Sequence, residues 1–111
     1  MQENLYEQWT ILTREHLRAA YLDILNRLSQ IYFNQERYAA CITVCQRVLS
    51  YDRCREDAYY LLMHCYSRQG QYQLALREFQ NCVKALRAEL EVEPAPETVQ
   101  LYNCIRRRER V

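Results

Sequence analysis

The residues from 56 to 89 repeat the skeleton of those from 22 to 55. When the first copy is laid on the second, Leu28 and Leu62, Tyr32 and Tyr66, and Tyr38 and Tyr72 are identical pairs, as are Asp23 and Asp57, Gln35 and Gln69, and Gln46 and Gln80. Within each copy the apolar residues keep helical spacing on both sides of a short polar turn. In the second copy Tyr59, Leu62 and Tyr66 precede the turn, and Tyr72, Ala75, Phe79, Cys82 and Leu86 follow it. The chain's one glycine, Gly70, sits in that turn, where a helix end needs a residue at positive φ. A fixed period of this length predicts stacked helical hairpins, because one hairpin alone cannot bury its own apolar face.

The second copy resembles the tetratricopeptide pattern, with Tyr59, Leu62, Met63 and Tyr66 in the first helix and Ala75 and Phe79 in the second. Met63 stands in a small-residue slot and Arg87 in a proline slot, so the second helix is expected to run on past the repeat boundary to about Leu90. The first copy carries Cys41, Cys45 and Val48 in the slots of Ala75, Phe79 and Cys82. Its turn, Asn34 to Arg37, lacks glycine, and Asn34 is the expected helix-closing residue. The expected fold is all-α: about five helices, two antiparallel hairpins (about 22–55 and 56–89), and covering helices at both ends, all within one domain spanning 1–111.

With one Gly and two Pro among 111 residues, connections must be short. Both prolines lie between Val92 and Thr98, where they break the helical pattern. Pro96 then suits the first position of a last helix, about 96–109, with Glu97 in its positive first turn and Val99, Leu101, Tyr102 and Ile105 facing inward. Upstream, Leu5, Trp9, Leu12, Leu17, Ala20, Ile24, Leu28 and Ile31 run without a breaker, which favours one long helix to about Asn34. Its first half is expected to cover the open end of the stack, with Trp9 as the main plug.

Net charge of +1 argues against a domain built to grip phosphates. Four arginines near the end, Arg106, Arg107, Arg108 and Arg110, read as charge suited to a helix C-terminus. No run approaches a membrane span and no signal peptide is visible, so a cytoplasmic location is expected. Six cysteines without a CxxC pair read as reduced thiols, mostly in apolar slots, ahead of disulfides or a metal site. No nucleophile has a spaced His and acid partner, and there is no glycine-rich phosphate loop. An enzyme, a metal centre and a cofactor are therefore not expected.

Three segments together carry a more specific likeness. They are Arg55 to Met63, Arg77 to Leu90, and Val92 to Thr98 continued by Leu101, Tyr102 and Ile105. With Trp9, Arg14 to Leu17, Tyr21 and Leu22 upstream, they resemble the bacterial transcriptional activator domain, the tetratricopeptide-like region of streptomycete antibiotic regulatory proteins. Two positions depart from that family: Glu91, where glycine is common, and Ala95, where serine or a similar cap is common. The resemblance implies an interaction or dimerisation domain of a transcriptional regulator, here without its winged-helix DNA reader. Implied partners are that DNA-binding part, RNA polymerase or a second copy, with no direct contact to nucleic acid or membrane. The alternative is a generic peptide-binding adaptor.

In tetratricopeptide proteins the first helices of successive hairpins line a concave groove. Carried onto this chain, the groove would hold Asp23, Asn26, Gln30, Phe33 and Asn34 from the first copy. Asp57, Tyr60, His64, Ser67 and Arg68 would join them from the second. Phe33 and Tyr60 are the aromatic groups on otherwise polar faces, a composition suited to a protein partner.

Overall fold

A computed structural model describes residues 4–108. It contains five helices: α1 (Leu5–Asn34), α2 (Tyr38–Tyr51), α3 (Glu56–Arg68), α4 (Tyr72–Leu90) and α5 (Pro96–Arg106). Helices α1 and α2 form one hairpin, α3 and α4 the next, and α5 packs on α3 and α4. The described residues contain no strand. The single long first helix, the continuation of α4 to Leu90 and the start of α5 at Pro96 all agree with the sequence. Arg110 lies outside the described residues, and α5 ends at Arg106 rather than near 109. Leu101, Tyr102 and Ile105 of α5 pack inward as expected, but Val99 does not: it is 37% exposed, on the side of the helix turned from α3 and α4.

The core lies along α3. Leu22 from α1, Cys41, Cys45 and Val48 from α2, and Ala58, Leu61, Leu62 and Cys65 from α3 form one buried cluster. On the other side Met63 packs with Ala75 and Phe79 of α4 and with Leu101 and Ile105 of α5. Phe79 and Tyr102 stack with centroids 4.1 Å apart. Tyr59 donates its hydroxyl proton to the Arg53 carbonyl at 2.8 Å, fastening α3 to the preceding linker. Burial pushes that phenol up to about 12.

Small sulfur side chains let α2 approach α1 and α3. All six cysteines are free, and four of them, Cys41, Cys45, Cys65 and Cys82, are buried. The Cys41 thiol donates to the Ser29 carbonyl at 3.3 Å. Hydrogen bonding to Cys41, together with burial, pushes the Cys45 and Cys65 thiols far above their ordinary range. Protonated, these groups behave as small apolar fillers.

Two further expectations are corrected. Trp9 is not a plug: it is 63% exposed, and Leu5, Leu12 and Leu17 are exposed with it. The first half of α1 extends beyond the hairpin instead of folding over its end, and the longest dimension of the molecule is 60 Å. The physical reason is length: at 1.5 Å per residue, 30 residues reach about 45 Å, whereas the 14 of α2 reach only about 21 Å. Asn34 does not close α1 in the left-handed region either. That conformation falls to Glu36 (φ 60°), which holds the place in the first copy that Gly70 (φ 76°) holds in the second. The geometry of the turn is thus the same in both hairpins, and only one has the residue suited to it.

Glu91 is a second glutamate in the left-handed region, at φ 53° and ψ 38°, ending α4. Beyond it the Arg87 guanidinium grips the Glu93 carboxylate at 2.9 and 3.1 Å, fixing the turn toward Pro94. Helix α5 then starts at Pro96, and the side chain of Ala95 at its N-cap position cannot cap. The cap comes from another helix: the Glu56 carboxylate, at the start of α3, accepts from the Ala95 N–H at 2.7 Å and the buried Thr98 hydroxyl at 2.6 Å.

These turns lend themselves to stability measurements. Glu36→Gly and Glu91→Gly should each raise stability by about 1 kcal/mol, since a side chain in the left-handed region costs roughly that much and glycine does not. Glu56→Ala should lower it by about 2 kcal/mol, because two donors lose a charged acceptor. Urea unfolding followed by far-UV circular dichroism measures all three.

Candidate functional site

Helices α1 and α3 pack on each other, and the residues expected to line a concave face divide there into three groups. Asn26, Gln30, Phe33, Asp57, Tyr60 and His64 come together. Asn26 donates through Nδ2 to Asp57 Oδ2 at 3.0 Å, bridging the two helices. The His64 ring lies 5.3 Å from Phe33 and 4.9 Å from Tyr60, edge-on to both, so the three rings form a row. Tyr38 continues it beyond Phe33 at 5.9 Å.

Asp23, Asn34 and Arg68 are exposed at the margins, and Asp23 pairs with Arg27 on its own helix at 3.1 Å. Ser67 differs from the rest: at 8% exposure it is buried in α3 and offers the face no group to contact.

The sequence reading missed what closes one end of the face. A cleft of about 380 Å³ is lined by Gln30, Asp57 and Tyr60 with Glu56, Glu97 and Thr98. Glu97 and Thr98 belong to the first turn of α5, so the last helix supplies part of the wall. Glu97 was legible as a first-turn acid, but its approach to Gln30 and Tyr60 depends on how α5 docks. The cleft therefore combines an aromatic ring with three carboxylate-bearing side chains, of which Glu56 is committed to capping α5.

Burial, with the positive Arg68 nearby, lowers the basicity of His64. Its Nδ1 and the Oδ1 of Asn26 are buried and have no partner among the described residues. A neutral imidazole is what an edge-on aromatic row can accommodate, since protonation would place a charge in a half-buried slot without a counter-ion. Among the described residues no group of three or more His, Cys, Asp or Glu side chains is arranged to hold a metal ion. No described helix is long and apolar enough to cross a membrane.

The sign of the pH dependence follows from the lowered basicity. The unfolded chain takes up the His64 proton first as the pH falls, so folding stability should decline below about pH 6.5. His64→Gln, which copies Gln30 at the matching position of the first repeat, should flatten that part of the stability curve. Chemical denaturation of both proteins between pH 5 and 8 measures the difference.

No curated protein and no solved structure matches the chain. A family profile does, the one described as the bacterial transcriptional activator domain, over residues 2–106. That span takes in all five helices, the hairpin turns and the concave face, so the chain belongs to the bacterial transcriptional activator domain family.

Proposed function

We propose that this chain is a non-enzymatic protein-interaction domain of a bacterial transcriptional regulator, whose DNA contacts are made by another part of that regulator. Family membership supports the regulatory setting. The concave face supports the mode of action, and the observation that carries it is the row Phe33, His64 and Tyr60 opening onto the cleft beside Asp57 and Glu97.

Such a site suits a cationic side chain of a folded partner. An arginine or lysine entering the cleft meets the face of Tyr60 and the carboxylates of Asp57 and Glu97, and its stem lies along the rings. Because α5 closes one end, the groove is short, which favours a few protruding side chains over a long extended peptide. The partners of the right kind are the regulator's own DNA-binding domain, whose surface must be basic to hold phosphates, and RNA polymerase. The location in keeping with this role is the cytoplasm.

The test is titration of the purified chain against each of these two partners by biolayer interferometry. We expect one of them to bind, and Tyr60→Ala combined with His64→Ala to weaken binding about tenfold or more, as loss of an aromatic anchor does. Binding by neither partner, or full affinity in the double variant, would overturn the reading.

A further inference from the structure

The exposed side of α1 carries a pattern of its own. Positions 5, 9, 12, 16, 20, 24, 27 and 31 step along the helix by 4, 3, 4, 4, 4, 3 and 4 residues. Those steps alternate around the helical repeat, so the eight positions form one stripe. Six of them are apolar: Leu5, Trp9, Leu12, Ala20, Ile24 and Ile31. The five large ones are between 50% and 79% exposed. The stripe is about 40 Å long at 1.5 Å per residue. It lies away from the hairpin: Leu22 and Ser29, which are buried, each stand two residues, or about 200°, from Ile24 and Ile31.

The step sequence reads the same from either end. Its midpoint is position 18, and every member has a counterpart at 36 minus its own number. An antiparallel copy of α1 laid along the stripe with position 18 on the axis therefore sets every member opposite another member of the stripe. Leu5 meets Ile31 of the second copy, Leu12 meets Ile24, and His16 meets the small Ala20. Trp9 meets Arg27, a cation over the face of an indole. Each contact occurs twice, as a two-fold interface requires.

We infer that α1 is the self-association surface of this protein, pairing antiparallel with α1 of a second copy in this register. The inference deepens the interaction-domain reading and rests on it. Two further observations support a helix of the same chain as the occupant. Ile24 and Ile31 correspond in the repeat to Ala58 and Cys65 of α3, which are buried in a cluster with side chains of the preceding hairpin, so α1 presents the kind of surface that a neighbouring helix covers. The large apolar side chains of the stripe expose on the order of 700 Å² per copy, close to the ~800 Å² per partner of a standard stable interface. Pairing leaves α2 and α3 where they are, and it leaves the concave face of each copy free for a different partner.

Sedimentation equilibrium of the full chain over the micromolar range, with reductant present for the six free cysteines, tests the inference. The expected mass is twice the 13.5 kDa of one chain. Leu12→Glu and Ile24→Lys should each give monomers with unchanged far-UV circular dichroism. The combined variant L12E/I24K should recover the dimer, because the register places the two new charges opposite one another twice. Leu90→Glu, at an exposed leucine away from the stripe, should remain dimeric. A monomeric wild type, a dimeric Leu12→Glu protein, or a combined variant that stays monomeric would overturn the inference. A monomer that still binds a DNA-binding domain or polymerase would remove self-association and leave the interaction-domain reading standing.

Discussion

Helix α3 is the element on which the fold depends. It is 13 residues long, seven of them are buried, and it packs against every other helix of the chain. No single apolar stripe could serve four neighbours. The sequence meets this with apolar or small groups nearly all round: Ala58, Leu61, Leu62 and Cys65 toward α1 and α2, Met63 toward α4 and α5, and Tyr59 toward Cys82, Ala85 and Leu86 of α4. A helix buried on most sides leaves few places for polar groups. Those it retains are committed at its ends or on the concave face: Glu56 to α5, Asp57 to Asn26, and His64 to the aromatic row.

The docking of α5 shows how a local deficit is met from a distance. Ala95 cannot cap, and the left-handed turn at Glu91 lacks the glycine that would make it free of strain. The chain nevertheless turns there, because Arg87 holds Glu93 on one side and Glu56 holds Ala95 and Thr98 on the other. One carboxylate accepting from a backbone N–H and a buried hydroxyl ties the start of α3 to the start of α5. The same tie brings Glu97 into the cleft, so the stability of the last helix and the shape of the candidate site share one residue.

Most of the architecture was legible in the sequence. The match between the two copies located both hairpins, Arg87 in a proline slot predicted the long α4, and Pro96 marked the start of α5. Periodicity carries this information because it reports which residues share a face. It does not report which of two apolar faces is buried, and α1 has two. Leu22, Leu25, Ser29 and Tyr32 pack inward, while Trp9, Ile24 and Ile31 face outward at an equally regular spacing. The plug assigned to Trp9 failed on that ambiguity. In the site, the residues taken from α1 and α3 did converge apart from Ser67 and the three at the margins. Glu56, Glu97 and Thr98 were not foreseen, because their place depends on the angle at which α5 meets α3, and no local pattern encodes an angle between helices.

The two ends of the stack therefore differ in kind. At one end α5 presents a largely polar outer face, with Glu97, Gln100 and Arg106 exposed and Val99 its one large apolar group more than a third exposed among the described residues. Solubility of a helical stack requires such a cover, since an uncovered repeat offers the slot its neighbour would fill. At the other end α1 carries large apolar groups over most of its length, where an ordinary cap would carry charge. Trp9 at 63% exposure is costly to leave in water, and a chain with 15 basic and 14 acidic residues has little net charge to keep such surfaces apart. An apolar face of this length is therefore better understood as half of a contact than as a termination. The concave face between α1 and α3, opening in another direction, remains available for a partner of different chemistry.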